Sequence, residues 1–157
     1  MAVLMDFGCS YQGYCSDMTR TIYFGKPDKT FQKAYAVALN AHLSAREAIA
    51  AGVPTKDVDA VARTIIDSSE FKGLFTHSLG HGVGVHIHEC PTFSPSSTAV
   101  FAENMVFTDE PGIYKAGKFG IRIEDTLVIQ NGKAVSMMKT NKALTYIENG
   151  VVKKAKI

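Results

Sequence analysis

Four carboxylates stand inside apolar, strand-like runs of this chain, and they constrain its fold more than any other feature. Asp6 lies in VLMDFG, Asp17 in CSDMTRT, Glu110 in FTDEPGIY and Glu124 in GIRIEDTLVI. A single acid in such a run is typical of a solvated strand face. If all four point inward, each pair of carboxylates about 4 Å apart repels by roughly 4 kcal/mol at an effective dielectric of about 20. Bound cations relieve that repulsion more completely than protonation does, so the four acids favour an interior that holds two divalent ions.

A segment rich in histidine and glycine supplies further candidate ligands. His77, His81, His86 and His88 all fall within HSLGHGVGVHIHE. Its glycines disfavour a helix and let the backbone pass close to a ligand. The spacing is not that of a zinc finger, and a histidine-rich surface loop is the alternative interpretation. Oxygen-rich ligands with one imidazole suit Mn²⁺ best, with Co²⁺, Fe²⁺ or Zn²⁺ as alternatives.

The order of the predicted elements, strands then helices then strands, indicates an α+β fold. β-branched and aromatic residues predict strands at Ala2–Gly8 and Tyr14–Phe24, joined as a hairpin through a turn at Tyr11-Gln12-Gly13. Strands return in the second half of the chain, with a hairpin turn at Asn131-Gly132. The expected strands there are Leu74–Leu79, Met105–Asp109, Phe119–Ile129, Ala134–Met138 and Leu144–Ile147.

Two helices are expected between these groups of strands. Apolar residues at three- and four-residue steps predict the first from Phe31 to Ile49, with Asp28 as its cap and Gly52 near its end. The second is expected to begin at Thr55 as its cap, with Val58, Val61, Ala62 and Ile65 as its apolar stripe. His42 lies on the stripe of the first helix, so we expect a buried packing residue rather than a catalytic one.

The composition excludes several classes of partner. The 157 residues include 17 basic and 15 acidic ones, for a net charge of +2. The sequence has no basic stripe that would predict binding to nucleic acid or to a membrane. No apolar run reaches the length of a membrane-spanning helix, and residues 1–5 do not form a signal peptide. The three cysteines include no CxxC pair. We therefore expect a cytoplasmic protein with reduced thiols.

Four motifs, taken in order, resemble those of the Xaa-Pro aminopeptidases and Xaa-Pro dipeptidases (prolidases), M24 metallopeptidases of the creatinase-like, pita-bread fold. The motifs are DFGCSYQGYCSDMTRT, HSLGHGVGVHIHECP, TDEPGIY and GIRIEDTLVI. The resemblance implies an α+β domain with an antiparallel sheet and helices on one face. Family members carry more sequence before the first metal aspartate, so residues 1–157 are expected to be a single partial catalytic domain, incomplete at its N-terminal side.

The resemblance also implies the metal ligands. Asp17 and Glu124 would bridge two divalent ions, Asp6 would hold one ion, and His81 and Glu110 would hold the other. A hydroxide between the ions would attack the scissile carbonyl.

Further roles in catalysis follow from the same resemblance. Glu110 would carry a proton to the leaving amine, His88 would stabilise the tetrahedral intermediate, and His77 would line the substrate pocket. Arg122, two residues before Glu124 and on the same strand face, would steady a carboxylate ligand. Two residues depart from the family pattern. His86 has no counterpart and is expected at the surface or the cavity wall, and Asp109 stands where many members have an aliphatic residue.

The implied substrate is a peptide with proline in second position, cleaved at the Xaa-Pro bond. The form RIED at Arg122–Asp125 favours this branch over methionine aminopeptidase, which is one alternative; a metal-binding but non-catalytic peptidase-like module is another. The sequence leaves open whether the enzyme is an aminopeptidase or a dipeptidase, and whether the isolated chain is active. Because a partial sheet exposes apolar surface, we expect a homo-oligomer.

Overall fold

The structure is a computed structural model that describes residues 1–155, and it confirms the α+β class. The last two residues of the expected domain, 156 and 157, lie outside the described part. Thirteen strands and two helices follow one another along the described chain. They are β1 Ala2–Phe7, β2 Ser10–Tyr11, β3 Tyr14–Cys15, β4 Met18–Phe24, α1 Lys29–Ala48, α2 Thr55–Asp67, β5 Gly80–Gly82, β6 Glu89–Phe93, β7 Val106–Asp109, β8 Gly112–Lys115, β9 Phe119–Arg122, β10 Asp125–Gln130, β11 Lys133–Ser136, β12 Thr145–Glu148 and β13 Val151–Lys154.

The first main sheet has the strand order β1-β4-β12-β13. β1 and β4 form the expected antiparallel pair, in a register that sets Asp6 opposite Thr19. The turn between β2 and β3 also lies where it was predicted, with Gln12 and Gly13 at φ 50° and 85°. The pairing of β12 with β4 is parallel, which is the one departure from the antiparallel arrangement among the described strands.

The second main sheet has the order β11-β10-β7-β5-β6 and is antiparallel throughout. Asn131 and Gly132, both at positive φ, make the predicted turn between β10 and β11. β8 and β9 form a separate hairpin, and its β9 strand contacts β1 and β4. β10 of the second sheet also contacts β4 of the first, so the two main sheets meet at these strands.

The two helices pack against each other, and α1 also contacts β7, β8 and β9. Asp28 caps α1 as predicted, since its carboxylate accepts a hydrogen bond from the Phe31 amide at 2.8 Å. The cap predicted for α2 is wrong. Pro54 occupies the N-cap position, and the hydroxyl of Thr55 donates to Ser97 and to the carbonyl of Ala99 instead.

The buried stripe of α2 is shifted from the predicted one. Val58, Ala62 and Ile66 are fully buried, whereas Val61 and Ile65 are only half-buried. Four of the seven buried residues of α1 are alanines, whose small side chains favour close packing of helices. Neither described helix is long and apolar enough to cross a bilayer.

Three predicted strands are wrong in their extent. Tyr14–Phe24 is divided into β3 and β4, because the Asp17 amide between them donates to the hydroxyl of Thr126 in β10.

Leu74–Leu79 is irregular, because side chains of α2 take up its backbone groups. Arg63 donates to the carbonyls of Phe75 and His77, and Asp59 accepts from the Leu79 amide. This leaves β5 to begin at Gly80.

The predicted strand Phe119–Ile129 is divided into β9 and β10. The chain leaves the β8–β9 ladder at Ile123, and the next amide, that of Glu124, donates to the carbonyl of Thr19 in β4 at 3.1 Å. This hydrogen bond joins the segment that carries Glu124 to β4 of the first sheet. β4 is also the strand that pairs with the Asp6 segment of β1.

Candidate metal centre

A cavity of about 490 Å³ opens between the ends of the two main sheets. Its wall brings together the residues that the sequence predicts for the site: four acids, three histidines and one arginine. They are Asp6, Asp17, Glu110, Glu124, His77, His81, His88 and Arg122. The expected site residues therefore share one concave surface.

Three of these residues form a compact group within the cavity. Asp17, His81 and Glu124 each offer one ligand atom, and the three atoms lie within 4.8 Å of one another. His81 Nε2 is 3.6 Å from Asp17 Oδ2 and 3.3 Å from Glu110 Oε1. The other ring nitrogen, Nδ1, is 3.0 Å from the carbonyl of Gly82. A proton on Nδ1 donated to that carbonyl leaves Nε2 free to face the acids.

Close backbone packing places His81 beside Glu110. A Cβ added to Gly80 would stand 2.0 Å from the carbonyl oxygen of Thr108, so only glycine allows β5 to lie this close to β7. The hydroxyl of Thr108 accepts a hydrogen bond from the His81 amide and donates one to Glu110 Oε1, both at 3.0 Å. Thr108 thus orients two of the expected ligands.

Arg122 lies on the opposite wall of the cavity, where it contacts Asp6 and Glu124. Its Nη2 donates to Asp6 Oδ2, its Nε donates to the hydroxyl of Thr19 at 2.9 Å, and Nε lies 3.6 Å from Glu124 Oε2. Thr19 in turn donates to Glu124 Oε2. Asp6 has a half-exposed side chain and lies against this arginine rather than within the compact group of Asp17, His81 and Glu124.

The other histidines differ in how closely they are held. His77 Nε2 lies 2.8 Å from the hydroxyl of Tyr114, which also accepts a hydrogen bond from Arg122. The ring of His88 lies 4.3 Å from that of His81, measured between centroids. The side chain of His86 is 82% exposed, in agreement with the surface position expected for it.

The electrostatics of the cavity favour a bound cation. Burial, followed by the negative charge of Glu110, raises the pKa of Glu124 to about 8. Burial and the charge of Asp6 likewise raise the pKa of Asp17. Burial alone would lower the pKa of His81, but its hydrogen bond with Glu110 helps to raise that pKa overall. The cavity contains clustered carboxylate oxygens and one imidazole, with too little positive charge nearby to balance the acids. This set of donor atoms suits a divalent ion.

Comparison of the sequence with known protein families supports a metal site in this cavity. The model of metallopeptidase family M24 matches residues 1–131. The chain belongs to this family. An uncharacterized peptidase of Staphylococcus aureus is 46% identical over 129 residues, which cover 82% of this chain and 37% of the relative.

Solved structures of similar proteins match the fold of the chain as well as its sequence. A prolidase from Thermococcus sibiricus superposes with a TM-score of 0.91 and 40% identity, over 93% of this chain and 40% of the other. An X-Pro aminopeptidase from Thermotoga maritima gives 0.89 and 37%, over 93% of this chain and 42% of the other. The pita-bread fold expected for an M24 chain is thereby confirmed. The chain spans about two fifths of the length of these relatives.

Sequence reasoning missed several residues of this M24 site. Thr19, Thr108 and Tyr114 each link two of the expected site residues through a hydroxyl. Strand alternation could have found Thr108, which stands two residues before Glu110 and therefore on the same face. The role of Thr19 depends on the break before β10, which no local pattern indicates.

His42 was expected to be a buried packing residue, and the structure corrects the second half of that prediction. The ring is fully buried, but it lies against two acids, with Nδ1 3.0 Å from Asp109 Oδ2. The aspartate that departs from the family pattern therefore faces away from the cavity, towards α1.

Proposed function

We propose that this chain forms the two-metal centre of a peptidase that cleaves the bond between an N-terminal residue and proline. The observation that carries the proposal is the compact group of Asp17, His81 and Glu124 within a cavity also lined by Asp6 and Glu110. The names of the similar structures, a prolidase and an X-Pro aminopeptidase, support the choice of substrate.

The proposed ligands divide between two divalent ions. Asp17 and Glu124 would hold both ions, Asp6 would hold one, and His81 and Glu110 would hold the other. Arg122 holds one carboxylate oxygen of Asp6 and leaves the second available. When bound, the ions polarise the scissile carbonyl and lower the pKa of the attacking water. Oxygen ligands in this number favour Mn²⁺, with Co²⁺, Fe²⁺ and Zn²⁺ as alternatives.

Glu110 is the proposed acid–base group. The hydroxyl of Thr108 fixes its Oε1 at 3.0 Å, and its side chain is nearly buried. In this position Glu110 takes a proton from the attacking water and returns it to the nitrogen of the leaving proline. That transfer matters because the leaving nitrogen of an Xaa-Pro bond carries no proton of its own.

Two histidines complete the proposed machinery. His88, whose ring lies beside that of His81, donates a hydrogen bond to the oxyanion of the tetrahedral intermediate. His77 lines the substrate pocket, where the Tyr114 hydroxyl fixes its ring and Arg122 fixes the hydroxyl. Arg122 also steadies the carboxylates of Asp6 and Glu124.

Residues 1–157 are proposed to be one partial domain that self-associates in the cytoplasm. Large apolar side chains stand exposed on the described surface, among them Phe7, Tyr14, Val85 and Ile87. A second copy would cover such a surface. Sedimentation velocity should therefore show a dimer or a larger species, and a stable monomer at all concentrations would remove this part of the proposal.

The substrate proposal is tested by peptide hydrolysis. We expect the Mn²⁺-loaded chain to release alanine from Ala-Pro-Ala, to leave Met-Ala-Ser intact, and to lose activity at least about a hundredfold on substitution Glu110→Gln. Glu70→Gln is the matched control, because Glu70 is an exposed acid paired with Lys33; it should retain full activity.

Other outcomes decide between the alternatives. Preferential cleavage of Met-Ala-Ser would identify a methionine aminopeptidase. Metal binding without cleavage of either peptide would identify a non-catalytic metal-binding module and would contradict the proposed activity of the chain.

A further inference from the structure

A buried histidine lies between two buried aspartates directly behind the metal cavity. His42 of α1, Asp109 of β7 and Asp125 of β10 are all fully shielded from solvent. The imidazole Nδ1 is 3.0 Å from Asp109 Oδ2, and Nε2 is 3.8 Å from Asp125 Oδ2. One ring thus faces a carboxylate on each of two neighbouring strands.

These two aspartates are the chain neighbours of two proposed ligands. Asp109 immediately precedes Glu110, and Asp125 immediately follows Glu124. Asp109 and Asp125 are directly paired across the β7–β10 ladder. Because successive side chains of a strand point to opposite faces, the aspartates face α1 while the glutamates face the cavity. A backbone shift at either aspartate would therefore also move the neighbouring glutamate.

The two aspartates are held very unequally. Asp125 receives hydrogen bonds from Arg20 at 2.7 Å and from Ser136 at 2.6 Å, and the ammonium of Lys142 lies 2.5 Å away. Neither carboxylate oxygen of Asp109 accepts a well-directed hydrogen bond within residues 1–155. The His42 ring lies at hydrogen-bonding distance from Asp109, but its nitrogens are not aligned for a well-directed hydrogen bond.

Burial makes this contact consequential. A carboxylate that loses its contact with water and has no partner is strongly disfavoured, and Asp109 is fully buried. Without His42, the side chain of Asp109 would have to move towards water or towards the cations around Asp125. Either movement would displace the strand end that carries Glu110.

We propose that His42 is a positioning residue for the metal centre. By lying between Asp109 and Asp125, it fixes the relative placement of the strand ends that carry Glu110 and Glu124. The inference rests on the two-metal site proposed above, and it assigns a functional role to a helix that contributes no side chain to the cavity wall.

Titration of the metal-free chain with Co²⁺ tests the inference, since the visible spectrum of bound Co²⁺ reports the geometry of its ligands. The variants are His42→Gln, which keeps a polar group but does not span both aspartates, and His42→Phe, which keeps the volume and removes every polar contact. We expect a loss of Co²⁺ affinity of about tenfold or more by calorimetry and an altered spectrum in both. If His42→Phe does not fold, His42→Gln decides.

The control separates positioning from general loss of stability. Val58 is fully buried in α2 and lines no part of the cavity, so Val58→Ala should lower the melting temperature while leaving the Co²⁺ affinity and the spectrum unchanged. Wild-type affinity and spectrum in the His42 variants would overturn the inference alone, as would an equal effect of Val58→Ala. A wild-type chain that binds no ion would overturn the metal site and this inference together.

Discussion

Glu124 and Asp125 are adjacent in the chain and equally buried, yet their surroundings are opposite. Glu124 faces the cavity, where burial and the charge of Glu110 raise its pKa to about 8. Burial also works to raise the pKa of Asp125, but hydrogen bonds from Lys142, Ser136 and Arg20 outweigh it and hold that pKa below its usual value.

The contrast separates two uses of a buried acid. Around Asp125 the chain supplies its own cations, so the carboxylate ties β10 to β4 and to the segment before β12. Around Glu124 the chain supplies one arginine, Arg122, to several carboxylates, and the negative charge is left in excess. The first acid belongs to the framework, and the second is one that a bound cation would stabilise.

The largest expected effect is that of pH on the metal-free chain. Burial and the charge of Glu110 raise the pKa of Glu124 from 4.5 to about 8 in the folded state, so the folded state binds more protons between these values than the unfolded state does. The free energy of unfolding should therefore fall as pH rises through this window, by at most about 5 kcal/mol. Urea denaturation in EDTA at about pH 5 and about pH 8 measures the change. Glu124→Gln should flatten it, and a stability that rises across the same window would contradict the account.

Arg20 should matter more to stability than any exposed ion pair. Its side chain is nearly buried and donates to Asp125 and to the carbonyl of Glu124. Arg20→Met should lower the free energy of unfolding by about 3–5 kcal/mol, because it leaves buried acceptors without their donor. Lys33→Met, which breaks the exposed pair with Glu70, is the control and should cost about 0–1 kcal/mol. Equal costs would erase the distinction between framework and surface charges.

Thr19 should affect metal binding rather than the framework. Its hydroxyl donates to Glu124 and accepts from Arg122. Thr19→Val keeps the volume and should weaken Mn²⁺ binding about tenfold, the usual cost of losing a residue that orients a ligand. Thr145→Val removes a hydroxyl that donates to the carbonyl of Ala143, outside the cavity, and should leave the affinity within about twofold. Calorimetry compares the two.

The smallest effect on stability and metal binding is expected at Tyr114. Its hydroxyl joins two cavity residues but contacts none of the proposed metal ligands. Tyr114→Phe removes the hydroxyl between His77 and Arg122. It should cost about 1 kcal/mol of stability and leave Mn²⁺ affinity unchanged, which denaturation and calorimetry measure. A large loss of metal affinity would place Tyr114 among the residues that orient the ligands.

The features that could be predicted from the sequence are those written in short segments. Three examples depend on only a few neighbouring residues: the cap at Asp28, the periodicity of α1 and the turn at Asn131-Gly132. The motifs that contain Asp17, His81 and Glu124 are equally local, and the structure brings these residues together. Their roles as ligands stay a prediction until metal binding is measured.

What the sequence could not show depends on contacts between distant segments. The apolar run Leu74–Leu79 reads as a strand, but Arg63 and Asp59 of α2 take up its backbone groups. His42 reads as a packing residue because its stripe is apolar, and only the fold reveals the aspartates opposite it. In both cases tertiary partners decide the outcome, and the local pattern contains no information about them.

Calorimetric titration of the metal-free chain with Mn²⁺ tests the central claim most directly. The account predicts that about two ions bind per chain and that Asp17→Asn, which removes a carboxylate from the compact group, abolishes most of that binding. Glu70→Asn, at an exposed acid remote from the cavity, should leave it intact. A chain that binds no Mn²⁺, or that binds it equally well after the substitution Asp17→Asn, would contradict the account.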